Sequence, residues 1–152
     1  MPKYIEPDNA DRKTWMSLLA KAPEADLLQL WDAYAPKPEF QWLRGPEVGS
    51  VMVRGRMGGA GNRFNLGEMT VTRCSLTLAD GTVGHGYVQG RSKAKAEAAA
   101  TIDALMQGDA SLDLRGQVLD PLSASMMAVK TRRAAKAAAT KVEFFTLVRG
   151  ED

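Results

Sequence analysis

The chain has 152 residues, a single-domain length at which about 68–70% of the unfolded surface is buried without disulfide or metal staples. Hydrophobic residues make up 45% and charged residues 25%, which excludes extended disorder. A formal net charge of +2 excludes the strongly basic balance of a dedicated nucleic-acid binder, and the one cysteine, Cys74, excludes an intrachain disulfide and favours a reducing compartment.

Residues 1–10 carry Pro2 and Pro7 without any period and are expected to form a mobile arm before a single domain at 11–152. The polar opening MPKYIEPDNADRK shows no apolar leader, and no run of 18 apolar residues exists, so a cytoplasmic protein without a membrane span is expected. Asp11 or Thr14 is expected to open a helix in which Trp15, Leu18, Leu19 and Ala22 form one apolar stripe. Pro23 interrupts it. A second helix carries Leu27, Leu30, Trp31 and Tyr34 at the same spacing and ends before Pro36 and Pro38. The aromatics of both helices are read as core.

The period then changes. Residues 40–44 and 48–57 read as strands split by Gly45-Pro46, and residues 66–78 form a third, rich in β-branched residues and alternating. Asp80-Gly81 predicts a tight hairpin turn of the primed type before a last strand at 83–90. Ser92 is expected to cap an alanine-rich helix that stops at Gly108, with a thin apolar line of Ala98, Ile102 and Leu105. Residues 109–119 read as loop. Asp120-Pro121 is expected to start a long helix, with Asp120 as its cap, running to about Val142. The fold class is α+β: an antiparallel meander of about four strands, two N-terminal helices and C-terminal helices, the last one long.

Residues 45–67 hold half of the chain's 14 glycines, five of them in the run RGRMGGAGNRFNLG. A Walker loop needs Lys and Ser/Thr after its last glycine, but Asn62-Arg63 follow Gly61. A dinucleotide loop leads into a helix, whereas this one leads into a strand. The glycines therefore read as a long hairpin connection from Met57 to Leu66, with Arg63 inside it. Alternation puts Arg54 and Arg56 on one face of their strand with Met52, and Val51 and Val53 on the other. Arg73 lies on the neighbouring strand and Arg91 at the end of the sheet. Arginine forks bind phosphate or carboxylate, so these residues mark an anion- or partner-binding face, or else a solvated face paired with Glu47 and Glu68.

His85 is the only histidine. With Cys74 it makes two metal ligands where three or four are needed, so no metal is expected. A general-base role for His85 is chemically open, while a strand histidine is ordinarily structural. Cys74 reads as a small buried hydrophobe. No Ser-His-Asp order or carboxylate pair stands out. Residues 121–142 carry Lys130, Arg132, Arg133, Lys136 and Lys141 without one acidic residue, with Leu122, Met126 and Val129 as the apolar side.

The long stretch RGRMGGAGNRFNLGEMTVTRCSLTLADGTVGHGYVQGR, followed by KAEAAATIDALMQ, resembles the PhnG family, the G subunits of the bacterial carbon–phosphorus lyase core complex. TWMSLLAKA and the closing ATKVEFFTLVRGED are similar to that family too. The resemblance implies a role in phosphonate catabolism beside H, I and J subunits. With H, I and an ATP-binding L subunit, such chains support attack of methylphosphonate on C1′ of ATP with loss of adenine. It implies no cofactor in this chain: ATP is a substrate of the complex, and the iron–sulfur cluster and S-adenosylmethionine belong to the J subunit. No catalytic residue is carried over from the family.

The apolar tail residues Phe144, Phe145, Leu147 and Val148 then read as a subunit interface, or as a segment docked on its own sheet. A non-catalytic subunit is the leading expectation. The alternative is a small anion- or nucleic-acid-binding module using the arginine-bearing face and the basic helix; membrane and nucleic-acid partners are not expected.

Overall fold

A computed structural model describes residues 9–143. The order is α1 (Asn9–Lys21), α2 (Glu24–Ala33), β1 (Phe40–Arg56), β2 (Arg63–Leu78), β3 (Val83–Gln89), α3 (Lys93–Met106), α4 (Ser111–Leu114) and α5 (Asp120–Ala139). The sheet is an antiparallel meander in the order β1-β2-β3. The class is the α+β expected, with three strands among the described residues where about four were expected. Gly45-Pro46 does not split β1, because the register slips between Trp42 and Arg44 and again between Arg44 and Glu47. Pro46 falls in that irregularity on an edge strand, where a missing N–H breaks no ladder bond.

The β2–β3 connection also differs from expectation. Asp80 keeps a negative φ, so the turn is not the primed pair; only Gly81 is left-handed, at φ 89. The Asp80 carboxylate instead accepts the Thr82 N–H at 2.9 Å. Of residues 109–119, only 109 and 110 lie outside a helix. α4 passes through a π turn at Arg115–Leu119 into α5, with right-handed helical dihedrals at every junction. Leu114, Val118 and Leu122, four residues apart, are all fully buried, so the apolar spacing carries the helix past Gly116. Asp120 is thus an interior helical residue, not a cap, and α5 ends at Ala139 rather than near Val142.

The core is built around α3. Its first turn is capped as expected: the Ser92 hydroxyl accepts the Lys95 N–H at 3.0 Å and donates to Glu24 at 2.6 Å. The expected thin apolar line is in fact burial on almost every side, from Ala96 to Met106. The helix lies on β2 and β3 and is covered by α1, α2 and α4. Leu19, Leu27, Trp31, Leu76, Val88 and Ile102 fill the space between them. Lys95 is buried too, and its ammonium donates to the Ala20 carbonyl at 3.0 Å, at the C-terminal end of α1. Burial lowers its pKa.

Two glycines allow the helix to come this close. A Cβ on Gly84 would strike the Ala100 carbonyl oxygen and lie 2.8 Å from the Ala104 Cβ; one on Gly86 would strike the Ala96 carbonyl oxygen. In VGHGYV every second residue faces α3, and the helix-facing ones are Gly84, Gly86 and Val88.

One carboxylate ties the layers. Asp103 of α3 is fully buried. It accepts from Arg12 Nε at 3.1 Å and Nη2 at 2.8 Å, from Trp15 Nε1 at 2.9 Å, and from the His85 backbone N–H at 2.9 Å. The Asp103 hydrogen bonds hold the Arg12 guanidinium above its ordinary pKa. α1 is thereby held across the outer edge of β3.

Gly84→Ala forces α3 off the sheet. We expect a loss of about 3 kcal/mol or more, read as a fall in Tm of roughly 6–12 °C. Gly49→Ala, whose Cβ meets nothing within 4 Å, is the control and leaves Tm within about 2 °C of the parent.

Candidate functional site: the arginine-bearing sheet and ribbon

Cross-strand pairing sorts the sheet into two faces. Thr72, Cys74 and Leu76 pair with Val88, Gly86 and Gly84 under α3. On the other face Arg73 pairs with Tyr87, Ser75 with His85, and Glu47 with Arg73. On that second face Arg73, His85 and Tyr87 are exposed.

Chemistry on this face is polar and paired. Ser75 Oγ lies 2.9 Å from His85 Nδ1. Arg44 Nη2 lies 2.8 Å from Glu47 Oε2. The Arg44 hydrogen bond and charge, with Arg73 adding to them, hold the Glu47 carboxyl below its ordinary pKa. Half of the solvated reading is therefore present: a carboxylate does balance arginines here, though its direct partner is Arg44. Arg44, Arg73, Ser75, His85 and Tyr87 line a shallow hollow of about 180 Å³.

The remaining arginines lie elsewhere. Val71↔Gln89 is the last pair of β2 with β3, so residues 63–70 of β2 pair only with β1 and project as a two-stranded ribbon. Arg63 is not in a loop: it begins β2, directly opposite Arg56. The true connection is Met57–Asn62, closed by Met57 N–H to Asn62 O at 3.3 Å and Gly61 N–H to Met57 O at 2.7 Å. Gly58 and Gly59, at φ 59 and 82, supply its left-handed positions.

Arg54, Arg56 and Arg63 line one depression of about 290 Å³ near this tip. Arg73 pairs with Glu47, seven residues before Arg54, which at ~3.3 Å per residue is roughly 23 Å away along the strand. The structure therefore brings Arg54, Arg56 and Arg63 together and leaves Arg73 and His85 in a separate hollow. Arg91 lies beyond β3 in the turn into α3, where Gly90 N–H bonds Thr70 O at the base of the ribbon. Phe144, Phe145, Leu147 and Val148 lie outside the described residues.

Two features escaped the sequence reading. One is Asp103, whose only signal was an acidic residue midway along an alanine-rich helix. The other is an open groove of about 590 Å³ between α1 and the edge of β3, lined by Lys13, Met16, Ser17, Ala20, His85 and Tyr87. The second stripe of α1, Lys13, Met16, Ser17 and Ala20 at i, i+3, i+4 and i+7, was its legible trace.

Cys74 sits under α3, with Sγ 3.2 Å from the Ala96 carbonyl oxygen. Burial pushes its thiol up to about 11, against a smaller lowering by the Gly86 backbone. It is a packed hydrophobe and not a nucleophile. Among the described residues no three His, Cys, Asp or Glu side chains are grouped so as to hold a metal ion, and no helix is long and apolar enough to cross a membrane.

The comparisons with known proteins agree with the resemblance. The family described as "Phosphonate metabolism protein PhnG" matches residues 10–150. A curated relative from Rhizobium meliloti (strain 1021), named alpha-D-ribose 1-methylphosphonate 5-triphosphate synthase subunit PhnG, is 48% identical over 143 residues. That match covers 94% of this chain and 92% of the relative.

Because the thiol pKa of Cys74 is raised to about 11, the thiolate form is scarce throughout the neutral range and grows only as pH approaches that value. Native protein at pH 8 should label with a thiol reagent at least about a hundredfold more slowly than the urea-unfolded chain. Comparable native and unfolded rates would overturn the assignment.

Proposed function

The chain belongs to the PhnG family of phosphonate metabolism proteins, and from that premise we propose that it is a non-catalytic assembly subunit of the carbon–phosphorus lyase core complex. In this reading the complex transfers the ribose 5-triphosphate moiety of ATP to methylphosphonate with release of adenine. Its partners are H, I and J subunits, with an ATP-binding L subunit for the transferase step, in the cytoplasm.

The observation that carries the assembly role is the ribbon. A two-stranded hairpin is at best marginally stable in water by itself. This one exposes Met52, Met57, Phe64 and Leu66, with Leu66 at 66% and Met57 at 69% of full exposure. Apolar side chains gathered on a projecting element mark a protein interface. The second half of α5 is similar in kind: from Lys130 to Ala139 every residue is exposed. Lys130, Arg132, Arg133 and Lys136 leave that segment open to an acidic partner surface.

The donor set supports the division of labour. An iron–sulfur cluster is ordinarily held by a set of thiolates, and this chain offers one cysteine, buried and protonated. In this reading the cluster and S-adenosylmethionine belong to a partner subunit, and ATP is a substrate of the complex. Among the described residues no carboxylate is bonded to the imidazole of the Ser75–His85 pair, and Asp103 takes the His85 backbone N–H. That leaves His85 without the orienting third group of a nucleophilic triad.

Met52→Ser with Leu66→Ser tests the interface. Both side chains are exposed, so stability should change by less than about 1 kcal/mol in all. Co-purification with a co-expressed I-type subunit should fall at least about tenfold, a loss of roughly 1.4 kcal/mol or more in association. Adenine release from ATP by the isolated chain should be undetectable. Undiminished co-purification, or turnover by the lone chain, would refute the reading.

A further inference from the structure

The end of the ribbon breaks a rule of sheet building. Arg56 and Arg63 stand directly opposite each other in the register, a placement that brings Cβ atoms to about 4.5–5.5 Å. Like charges so placed destabilise a strand pair. Arg54 follows two residues along, about 7 Å away on the strand, and borders the same depression. From Gly49 to Gly67 the sequence contains no Asp or Glu at all. Among the described residues none of these three guanidinium groups takes part in an ion pair. Arg56 reaches only the Gly61 carbonyl oxygen, at 3.5 Å.

The contrast with the rest of the surface is informative. Arg12, Arg44 and Arg115 each hold a carboxylate at 2.8–2.9 Å. At the ribbon tip the charge is concentrated and left without balance, on a backbone fixed by a closed turn. A violated local rule with no compensating carboxylate among the described residues points to a ligand that supplies it.

We infer that Arg54, Arg56 and Arg63 form a binding site for an oligophosphate, with the guanidinium forks clamping successive phosphate groups. Planar guanidinium forks bind phosphate oxygens in pairs, and the spacing from Arg54 to Arg56 is longer than one phosphate group and suits a chain of two or three. An anion seated between Arg56 and Arg63 converts their repulsion into chelation. The choice of a triphosphate among oligophosphates rests on the function proposed above and on the relative's named 5-triphosphate; the arginine geometry stands without it. A tip that carries such a site at the end of an apolar ribbon would present the phosphate chain to whatever subunit the ribbon meets.

The test titrates inorganic tripolyphosphate into the full chain at about 0.15 M salt, where exposed long-range charge is largely screened. Arg56→Gln with Arg63→Gln removes the opposed pair. Arg132→Gln with Arg133→Gln removes the same charge from α5. We expect binding by the parent, at least a tenfold loss in the ribbon variant, and less than a twofold change in the α5 variant. Tripolyphosphate should raise the parent's Tm and not the ribbon variant's, and the ligand-free ribbon variant should melt no lower than the parent. No binding, equal losses in the two variants, or a lower ligand-free Tm would overturn the site. Tighter binding of a short single-stranded RNA than of tripolyphosphate would overturn it in favour of nucleic acid. Loss of co-purification in the ribbon variant would reassign the arginines to a partner's carboxylates and leave the subunit reading intact. Tripolyphosphate binding by a chain that recruits no partner would sink that reading and leave the site standing.

Discussion

The Asp103 carboxylate is the constraint from which the arrangement of the layers follows. A buried charge is tolerated only when it is paired and its lone pairs are filled. Here both demands are met from two other elements: Arg12 and Trp15 come from α1, and the His85 N–H comes from β3. Removing the carboxylate would strand a guanidinium, an indole N–H and a backbone N–H together. The same contact decides which sheet edge is safe. α1 is held across β3, whose outward N–H at His85 is satisfied by a side chain, while β1 is the opposite edge strand of the sheet. Bulges interrupt that edge at Arg44 and at Val53/Arg54, one of the usual protections against edge-to-edge pairing.

Two regimes of construction meet in this chain. In the half around α3 every local preference agrees with the packing: small residues on the helix face glycines on the strand, Ser92 caps, and the polar groups that are buried find partners. Among the described residues no buried side-chain nitrogen or oxygen lacks one. In the ribbon the preferences conflict. Apolar residues face water, glycine replaces side chains in strand positions, and arginine opposes arginine. Phe64 lies over Gly55 across the strands, a local repair that shields the glycine backbone. It does not make the ribbon a core.

Much of the compact half was legible beforehand. The apolar stripes of α1 and α2, the Ser92 cap, the meander and the burial of Cys74 are all short-range signals with a single physical reading. The failures have a common cause. Gly45-Pro46, Gly116 and Asp120-Pro121 are punctuation marks whose force depends on where they fall in the tertiary structure. A proline at an edge bulge breaks nothing, and a glycine inside a helix docked through Leu114, Val118 and Leu122 costs about 1 kcal/mol, which burial outweighs. The helical period of those three residues was present and was overruled by the punctuation. Of the candidate site, the identity of the arginines was readable, but their grouping was not. Strand register alone separates Arg73 from Arg54 and moves Arg63 from a loop to a place beside Arg56.

That grouping bears on why a chain of this kind is useful to an assembly. A catalytic site needs reactive groups held by a surrounding shell, and the shell here, around α3, encloses a protonated thiol, a fully committed carboxylate and the Lys95 ammonium, itself bonded to the Ala20 carbonyl. Among the described residues exposed apolar side chains lie outside it, on the ribbon, at Trp42 and Leu43 of β1 and at Leu112 of α4, and the basic half of α5 is exposed throughout. Stability and interaction are thus carried by different residues, so the ribbon surface can change with little effect on folding. The compact half could not evolve a site in α3 without breaking the close approach that Gly84 and Gly86 permit. Contact surfaces are thus left to the ribbon and the exposed half of α5, which the close approach of α3 to Gly84 and Gly86 does not constrain.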